Sequence, residues 1–213
     1  VEVVAISDIN VDARQWAAKY NISKFYSDYQ DLISNQQVNT VVICSPTNQH
    51  AENIIAAAQA GKNIFCEKPM DLSMQTAMRV LQIVEKAGVK FMLGFNRRFD
   101  PNFMKIKSLI DEGKVGEPQI VKITSRDPAP PPIDYIKSSG GMFLDMTIHD
   151  FDVARWLLDE DVEAVQAAAS VLVDPEIGKL GDFDSINVIL RTASGKQATI
   201  TNSRRALYGY DQR

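Results

Sequence analysis

Two cysteines, Cys44 and Cys66, are the whole thiol inventory of this 213-residue chain. That is too few for a disulfide framework, and no His/Cys cluster has the spacing of a zinc site, so no metal role is expected. Unpaired thiols point to a reducing, cytoplasmic compartment. Histidine is equally scarce, with His50 and His149 the only two. No apolar run approaches the roughly 18 residues of a membrane span. The opening Val1-Glu2-Val3-Val4-Ala5-Ile6 has neither the basic region nor the small-residue cleavage site of a signal peptide. Positive charge is not in excess: 23 Lys+Arg against 27 Asp+Glu leave a net charge of −4. Nucleic acid and anionic membrane are therefore not expected partners. What is present is ordinary for a globular chain, 45% hydrophobic and 23% charged residues, which excludes disorder.

The first half alternates strand and helix patterns. Val1 to Ser7, Thr40 to Cys44, Asn63 to Cys66 and Lys90 to Leu93 are short apolar runs of strand type. Helices are expected over Val11 to Tyr20, Asp28 to Ser34, Asn48 to Ala60 and Ser73 to Ala87. The last has a Ser cap, a Gly88 stop, and Met74, Ala77, Met78, Leu81 and Val84 as its expected inward residues. Strands separated by helices imply a parallel, doubly wound α/β sheet. The second half begins with a helix at Asp100-Pro101 that closes at Gly113. A strand over Gln119 to Arg126 and an extended Pro-rich loop over Asp127 to Asp134 follow. A helix near Asp145 to Leu158 and strands over Glu163 to Val173, Ser185 to Thr192 and Gln197 to Ser203 complete it. Strands joined by the tight turn Ala193-Ser194-Gly195-Lys196 are antiparallel, so this half is an α+β domain with a mainly antiparallel sheet. The expected boundary separates residues 1–98 from 99–213.

Four places hold residues that could carry chemistry. Asp8 ends the first strand of this chain; a dinucleotide-binding fold keeps an acidic ribose ligand at the end of its second strand, while Asp8 taken alone reads as the cap of the helix that follows. Ser45-Pro46-Thr47-Asn48-Gln49-His50 joins a strand end to a helix N-terminus, either as a ligand-binding edge or as a turn with its cap. Lys68, in Cys66-Glu67-Lys68-Pro69, stands at the next strand end, and the Lys68–Pro69 bond is a candidate for the cis form. Asp145 and His149 are four residues apart, with Asp152 seven from Asp145. That spacing gives one helix face, suited to a general base oriented by a carboxylate or to a surface pair worth about 0.2–0.5 kcal/mol.

Cys66-Glu67-Lys68-Pro69-Met70, Gly94-Phe95-Asn96-Arg97-Arg98-Phe99-Asp100, Ser125-Arg126-Asp127-Pro128 and Gly140 through Asp150 together resemble the Gfo/Idh/MocA oxidoreductase family. The Asp-x-x-x-His helix and the Pro-rich loop before it resemble its inositol branch. The resemblance implies a Rossmann domain followed by an α/β domain with a large open sheet. It implies NAD as cofactor and oxidation of a ring hydroxyl of a cyclic polyol such as myo-inositol. On this resemblance His149 is the base, Asp145 its orienting carboxylate and Lys68 a donor to the reacting oxygen, the three converging on one hydroxyl. Arg97 and Asp127 would hold other substrate hydroxyls. Asp8, Ser45, Pro46, Thr47, His50 and Glu67 would line the cofactor with Lys68. A homo-oligomer, dimer or tetramer, is also implied. Family members open with a first strand and a Gly-x-Gly-x-x-Gly turn that this sequence does not contain, so a fragment is expected. Two alternatives stay open: a non-catalytic dinucleotide or sugar sensor, and a member that keeps NAD bound for epimerase or glycosidase chemistry.

Overall fold

The computed structural model describes residues 1–213, which form two compact units, Val1–Gly94 and Phe95–Arg213. The division falls before the expected boundary because Arg97 and Arg98 bind carboxylates of the second unit.

In the first unit β1 (Ala5–Ser7), α1 (Ala13–Lys19), β2 (Lys24–Tyr26), α2 (Tyr29–Ser34), β3 (Thr40–Ile43), α3 (Thr47–Gln59), β4 (Asn63–Cys66), α4 (Met74–Ala87) and β5 (Phe91–Leu93) follow in order. All strand pairings are parallel, in two sheets, β1-β2 and β3-β4-β5. In the doubly wound order 3-2-1-4-5-6, β2 and β1 take the third and second places, and β3, β4 and β5 the fourth to sixth. The two sheets thus correspond to the strands on either side of the central first place. Strand β2 was not expected, since Lys24-Phe25-Tyr26 is too short to show an alternation.

Local chemistry explains the helix ends. Asp28 caps α2 by accepting from the Gln30 N–H, and Ser73 caps α4 by accepting from Thr76. Gly88 ends α4 at φ +67°, the left-handed conformation that glycine adopts without penalty. Ile54, Ala57 and Ala58 of α3 and Val80 and Val84 of α4 pack on Ile43, Ile64 and Cys66. The expected inward face of α4 is corrected here. Met74, Met78 and Leu81 are 74%, 51% and 42% exposed, and Val80 joins Val84 in the core.

The second unit holds a 3₁₀ turn at Asn96–Phe99, then α5 (Pro101–Asp111), β6 (Ile120–Arg126), α6 (Ile133–Ser139), a π turn (Phe143–Thr147) and α7 (Ile148–Leu158). β7 (Val162–Ser170), α8 (Pro175–Lys179), β8 (Ser185–Thr192), β9 (Gln197–Ser203) and β10 (Asp211–Gln212) complete it. The five strands form one sheet in the order β10-β6-β9-β8-β7, antiparallel except for the parallel β6–β9 pair. Period-2 alternation sends Ile186, Val188 and Leu190 of β8, Ala198 and Ile200 of β9 and Ile123 of β6 to one face. Val153, Ala154, Leu157 and Leu158 of α7 close that core. Two expectations change. The Pro-rich stretch ends in helix α6, with Pro132 at its N-cap. The helix before Leu158 starts as a π turn, not a regular α-helix.

Candidate functional site

In the first unit the expected residues lie at the carboxyl ends of β1, β3 and β4. Asp8 is exposed, and its carboxylate accepts from the Asn10 N–H at 2.8 Å, so it caps the turn after β1 while remaining at the surface. Ser45 and Pro46 carry the chain from β3 into Thr47, the first residue of α3. The 13-residue helix thereby points its N-terminus, with its unsatisfied N–H groups, toward that edge. Ser45 Oγ accepts from Asn53 Nδ2 at 3.0 Å.

His50 is buried beside this edge. It is 2% exposed, with Nδ1 2.7 Å from the Pro69 carbonyl and Nε2 2.8 Å from the Ser45 carbonyl. With both ring nitrogens engaged by backbone carbonyls, it braces the loop after β3 against the Lys68–Pro69 step. That step is a cis peptide bond. Lys68 and Glu67 are half-buried, and the Glu67 N–H donates to the Ile43 carbonyl at 3.0 Å. Gly94 closes this edge, since a Cβ there would lie 3.0 Å from Phe65 Cζ and 3.2 Å from Glu67 Oε2. Both cysteines are free, and burial, with Cys44 and Glu67 adding to it, pushes the Cys66 thiol up to about 12. Cys66 is accordingly no nucleophile at neutral pH.

The second unit gathers a denser group. Asp145 lies in the π turn and His149 at the start of α7. π turns inside helices recur at functional sites because one extra residue re-aims the side chains around it. The Asp145 carboxylate accepts from Tyr135 Oη at 2.7 Å on one oxygen, and Arg204 Nη2 lies 3.4 Å from the other. Phe95 meets the His149 ring edge-on, with centroids 6.4 Å apart. Asp127, just past β6, feels the charges of Arg204, Asp145, Arg97 and Asp150; burial dominates and raises its carboxyl above the ordinary value.

Asp152 on α7 and Arg97 in the 3₁₀ turn each have a charged partner of their own. Asp152 does not join Asp145; Arg98 holds it through two bonds of 2.8 Å. Arg97, expected to hold substrate, pairs with the buried Asp150. Asp150 also accepts from Ser125 Oγ at 2.8 Å and Asn202 Nδ2 at 2.6 Å. Tyr135, Arg204, Asp150 and Asn202 are the residues that the sequence reading missed. A pocket of about 830 Å³ opens elsewhere in this unit, lined by Phe99, Phe103, Ile106, Tyr210 and Gln212 among others, and contains neither Asp145 nor His149. No group of three or more His, Cys, Asp or Glu side chains is arranged to hold a metal ion, and no helix is long and apolar enough to cross a membrane.

Two family models match in tandem: an oxidoreductase family with an NAD-binding Rossmann fold over residues 1–95, and the GFO/IDH/MocA C-terminal domain over residues 103–213. The chain belongs to the GFO/IDH/MocA family. It is 53% identical over 210 residues to myo-inositol 2-dehydrogenase from Thermotoga maritima, covering 98% of this chain and 63% of that protein. The crystal structure of a probable dehydrogenase from Thermotoga maritima superposes with a TM-score of 0.97 at 52% identity, over 100% of this chain and 64% of the other. The scyllo-inositol dehydrogenase of Lactobacillus casei, solved with NAD(H) and scyllo-inositol, superposes at 0.90 with 30% identity, over 99% and 64%. The chain therefore spans about two thirds, or slightly less, of the length of these family members.

Proposed function

We propose that this chain carries the catalytic residues of an NAD-dependent dehydrogenase that oxidises a ring hydroxyl of a cyclic polyol, myo-inositol or a close relative, to a ketone. The observation that carries the reading is the Asp145–His149 pair, set in a π turn and the helix that follows it and braced by Tyr135 and Arg204. The bound nicotinamide would supply the acceptor for the hydride. His149 takes the hydroxyl proton as general base, and Asp145 orients the imidazole. Lys68 donates to the reacting oxygen and stabilises the negative charge that develops there. Asp127 binds a further hydroxyl. On the first unit, the N-terminus of α3 at Thr47 and the exposed carboxylate of Asp8 suit a dinucleotide, Asp8 accepting from ribose hydroxyls and repelling a 2′-phosphate. Ser45, Pro46 and Glu67 line the same edge.

A cytoplasmic setting agrees with the two free thiols.

The test is His149→Ala in the full-length protein, with NADH formation followed in the presence of myo-inositol. Turnover should fall about 10²–10⁴-fold, the usual worth of a positioned base, while NAD affinity holds. Normal turnover in that variant refutes the assignment. Continuous net NADH formation by the unaltered enzyme separates a dehydrogenase from a sensor or from a member that keeps its NAD through a closed redox cycle.

A further inference from the structure

We propose that Arg204 and Tyr135 are positioning residues that hold the Asp145 carboxylate in the orientation from which it can orient His149. The inference rests on the catalytic reading above and extends it to residues outside the Asp-x-x-x-His motif.

Asp145 sits in a π turn, a departure from regular α-helical hydrogen bonding that recurs at functional sites. Ties come from two other elements. Tyr135, on α6, donates its hydroxyl to Asp145 Oδ1 at 2.7 Å. Arg204, just past β9, brings Nη1 and Nη2 to 3.5 and 3.4 Å from Oδ2. Each carboxylate oxygen is thus held from a different side.

Arg204 is itself a costly choice for this place. Its side chain is 1% exposed, and a buried guanidinium is destabilising unless a carboxylate meets it. An apolar residue would pack there at lower cost. The fold also fixes the Arg204 backbone closely. Its N–H donates to the Asp184 carbonyl at 2.9 Å. The Asp184 side chain in turn accepts from the N–H groups of Leu172, Val173 and Asp174 at 2.8, 2.9 and 2.9 Å. Arg204 thereby reaches Asp145 from an anchored loop and not from a free one. Tyr135 remains a donor throughout the working pH range, because burial, with the Asp145 hydrogen bond second, pushes its phenol up to about 12.

The charged and titratable groups set against Asp145 are then Tyr135 from α6, Arg204 from beyond β9 and Asp127 from beyond β6, with His149 four residues further along the chain. A carboxylate raises the basicity of a neighbouring imidazole, and a guanidinium on that carboxylate restrains the rise. Removing Arg204 should therefore make His149 a stronger base held in a looser orientation. Removing the Tyr135 hydroxyl acts in the same direction, more weakly.

The experiment compares pH profiles of kcat/KM for myo-inositol, in full-length protein with saturating NAD, across Arg204→Gln, Arg204→Lys, Tyr135→Phe and His149→Ala. In Arg204→Gln the acid limb should move up by about one pH unit, with kcat at least about tenfold lower and KM for NAD within about twofold. Tyr135→Phe should shift the limb the same way by less, and Arg204→Lys should return it toward the parent. A purely structural role would lower the amount of active enzyme and leave the limb in place. If His149→Ala is inactive while the limb and kcat stay unmoved in both Arg204→Gln and Tyr135→Phe, the positioning role is refuted and the catalytic reading stands. If His149→Ala keeps its turnover, both fall. Should Arg204→Gln not fold, Tyr135→Phe decides alone, since it removes a single oxygen from a half-exposed side chain.

Discussion

Asp150→Ala should be among the most damaging single substitutions in the second unit. The Asp150 side chain is 0% exposed and joins three elements. It pairs with Arg97 of the 3₁₀ turn, accepts from Ser125 Oγ of β6 at 2.8 Å, and accepts from Asn202 Nδ2 of β9 at 2.6 Å. Ser125 also accepts from Gln212 Nε2 at 2.8 Å, and Asn202 Oδ1 accepts from Thr147 Oγ1 at 2.7 Å, so the network runs on into β10 and the π turn. Removing one partner of a buried ion pair costs about 3–5 kcal/mol, because the other charge stays buried without compensation. The orphaned Ser125 and Asn202 donors belong to the same network, so their penalties do not simply add to that figure. A loss of about 3–5 kcal/mol is a large share of the roughly 5–15 kcal/mol that holds a domain folded. The chain offers a convenient assay. Its two tryptophans fall one in each unit, Trp16 on α1 and Trp156 on α7. In a Trp16→Phe background, urea unfolding followed by Trp156 fluorescence reads the second unit. Arg97→Met combined with Asp150→Leu should be less damaging than Asp150→Ala alone, since no charge is then stranded. A loss below about 1 kcal/mol for Asp150→Ala would refute the idea that Asp150 is the hub, because that is no more than an ordinary neutral hydrogen bond contributes.

Two further outcomes follow from the same unit. Burial alone would raise the Asp184 carboxyl, but hydrogen bonds from the Leu172, Asp174 and Val173 N–H groups and the Ser185 hydroxyl outweigh it and hold the group below its ordinary value. A depressed folded-state pKa stabilises above the unfolded value, near 3.9 for Asp, and that contribution is lost as pH falls through the folded value. The acid limb of second-unit stability should therefore flatten in Asp184→Asn, and an unchanged limb would show that Asp184 is not its source. Gly141→Ala should destabilise by about 1–2 kcal/mol from its φ of +77° alone. A Cβ there would also come within 2.7 Å of Asp182 Oδ1, the acceptor for the Met142 N–H. Wild-type thermal stability in Gly141→Ala would contradict this.

Much of the fold was legible because its signals are local. Asp100 followed by Pro101 announces α5, and the structure has Asp100 accepting from the Asn102 and Phe103 N–H groups. Ser73 and Gly88 bracket α4 in the same way. The inward face of α4 was not legible, because Met74, Met78, Val80, Leu81, Ile83 and Val84 spread apolar side chains around most of its circumference. Periodicity marks the polar face of Gln75, Arg79, Gln82 and Lys86 but cannot choose which part of so wide an apolar arc enters the core. Helix α6 lay hidden behind a run of prolines that reads as extended chain, although proline also stands readily at a helix start.

The Asp-x-x-x-His motif was visible since its two residues lie within one turn of chain. What braces it was not. Arg204 lies 59 residues from Asp145, and Asn202 lies 52 from Asp150. In sequence, Ser203-Arg204-Arg205 reads as a polar turn after a strand, with nothing to mark one arginine as buried and the other as exposed. The register of β9 against β6 and β8 makes the difference. Ala198, Ile200 and Asn202 alternate onto the face that α7 covers, and Arg204 continues that alternation one step past the strand. It arrives beside Asp145 because the strand that delivers it also lays down the hydrophobic core. Period 2 therefore ties the second unit's packing to its chemistry. A one-residue slip of β9 would bury Thr199 and Thr201 and turn Arg204 outward, costing core and carboxylate support together.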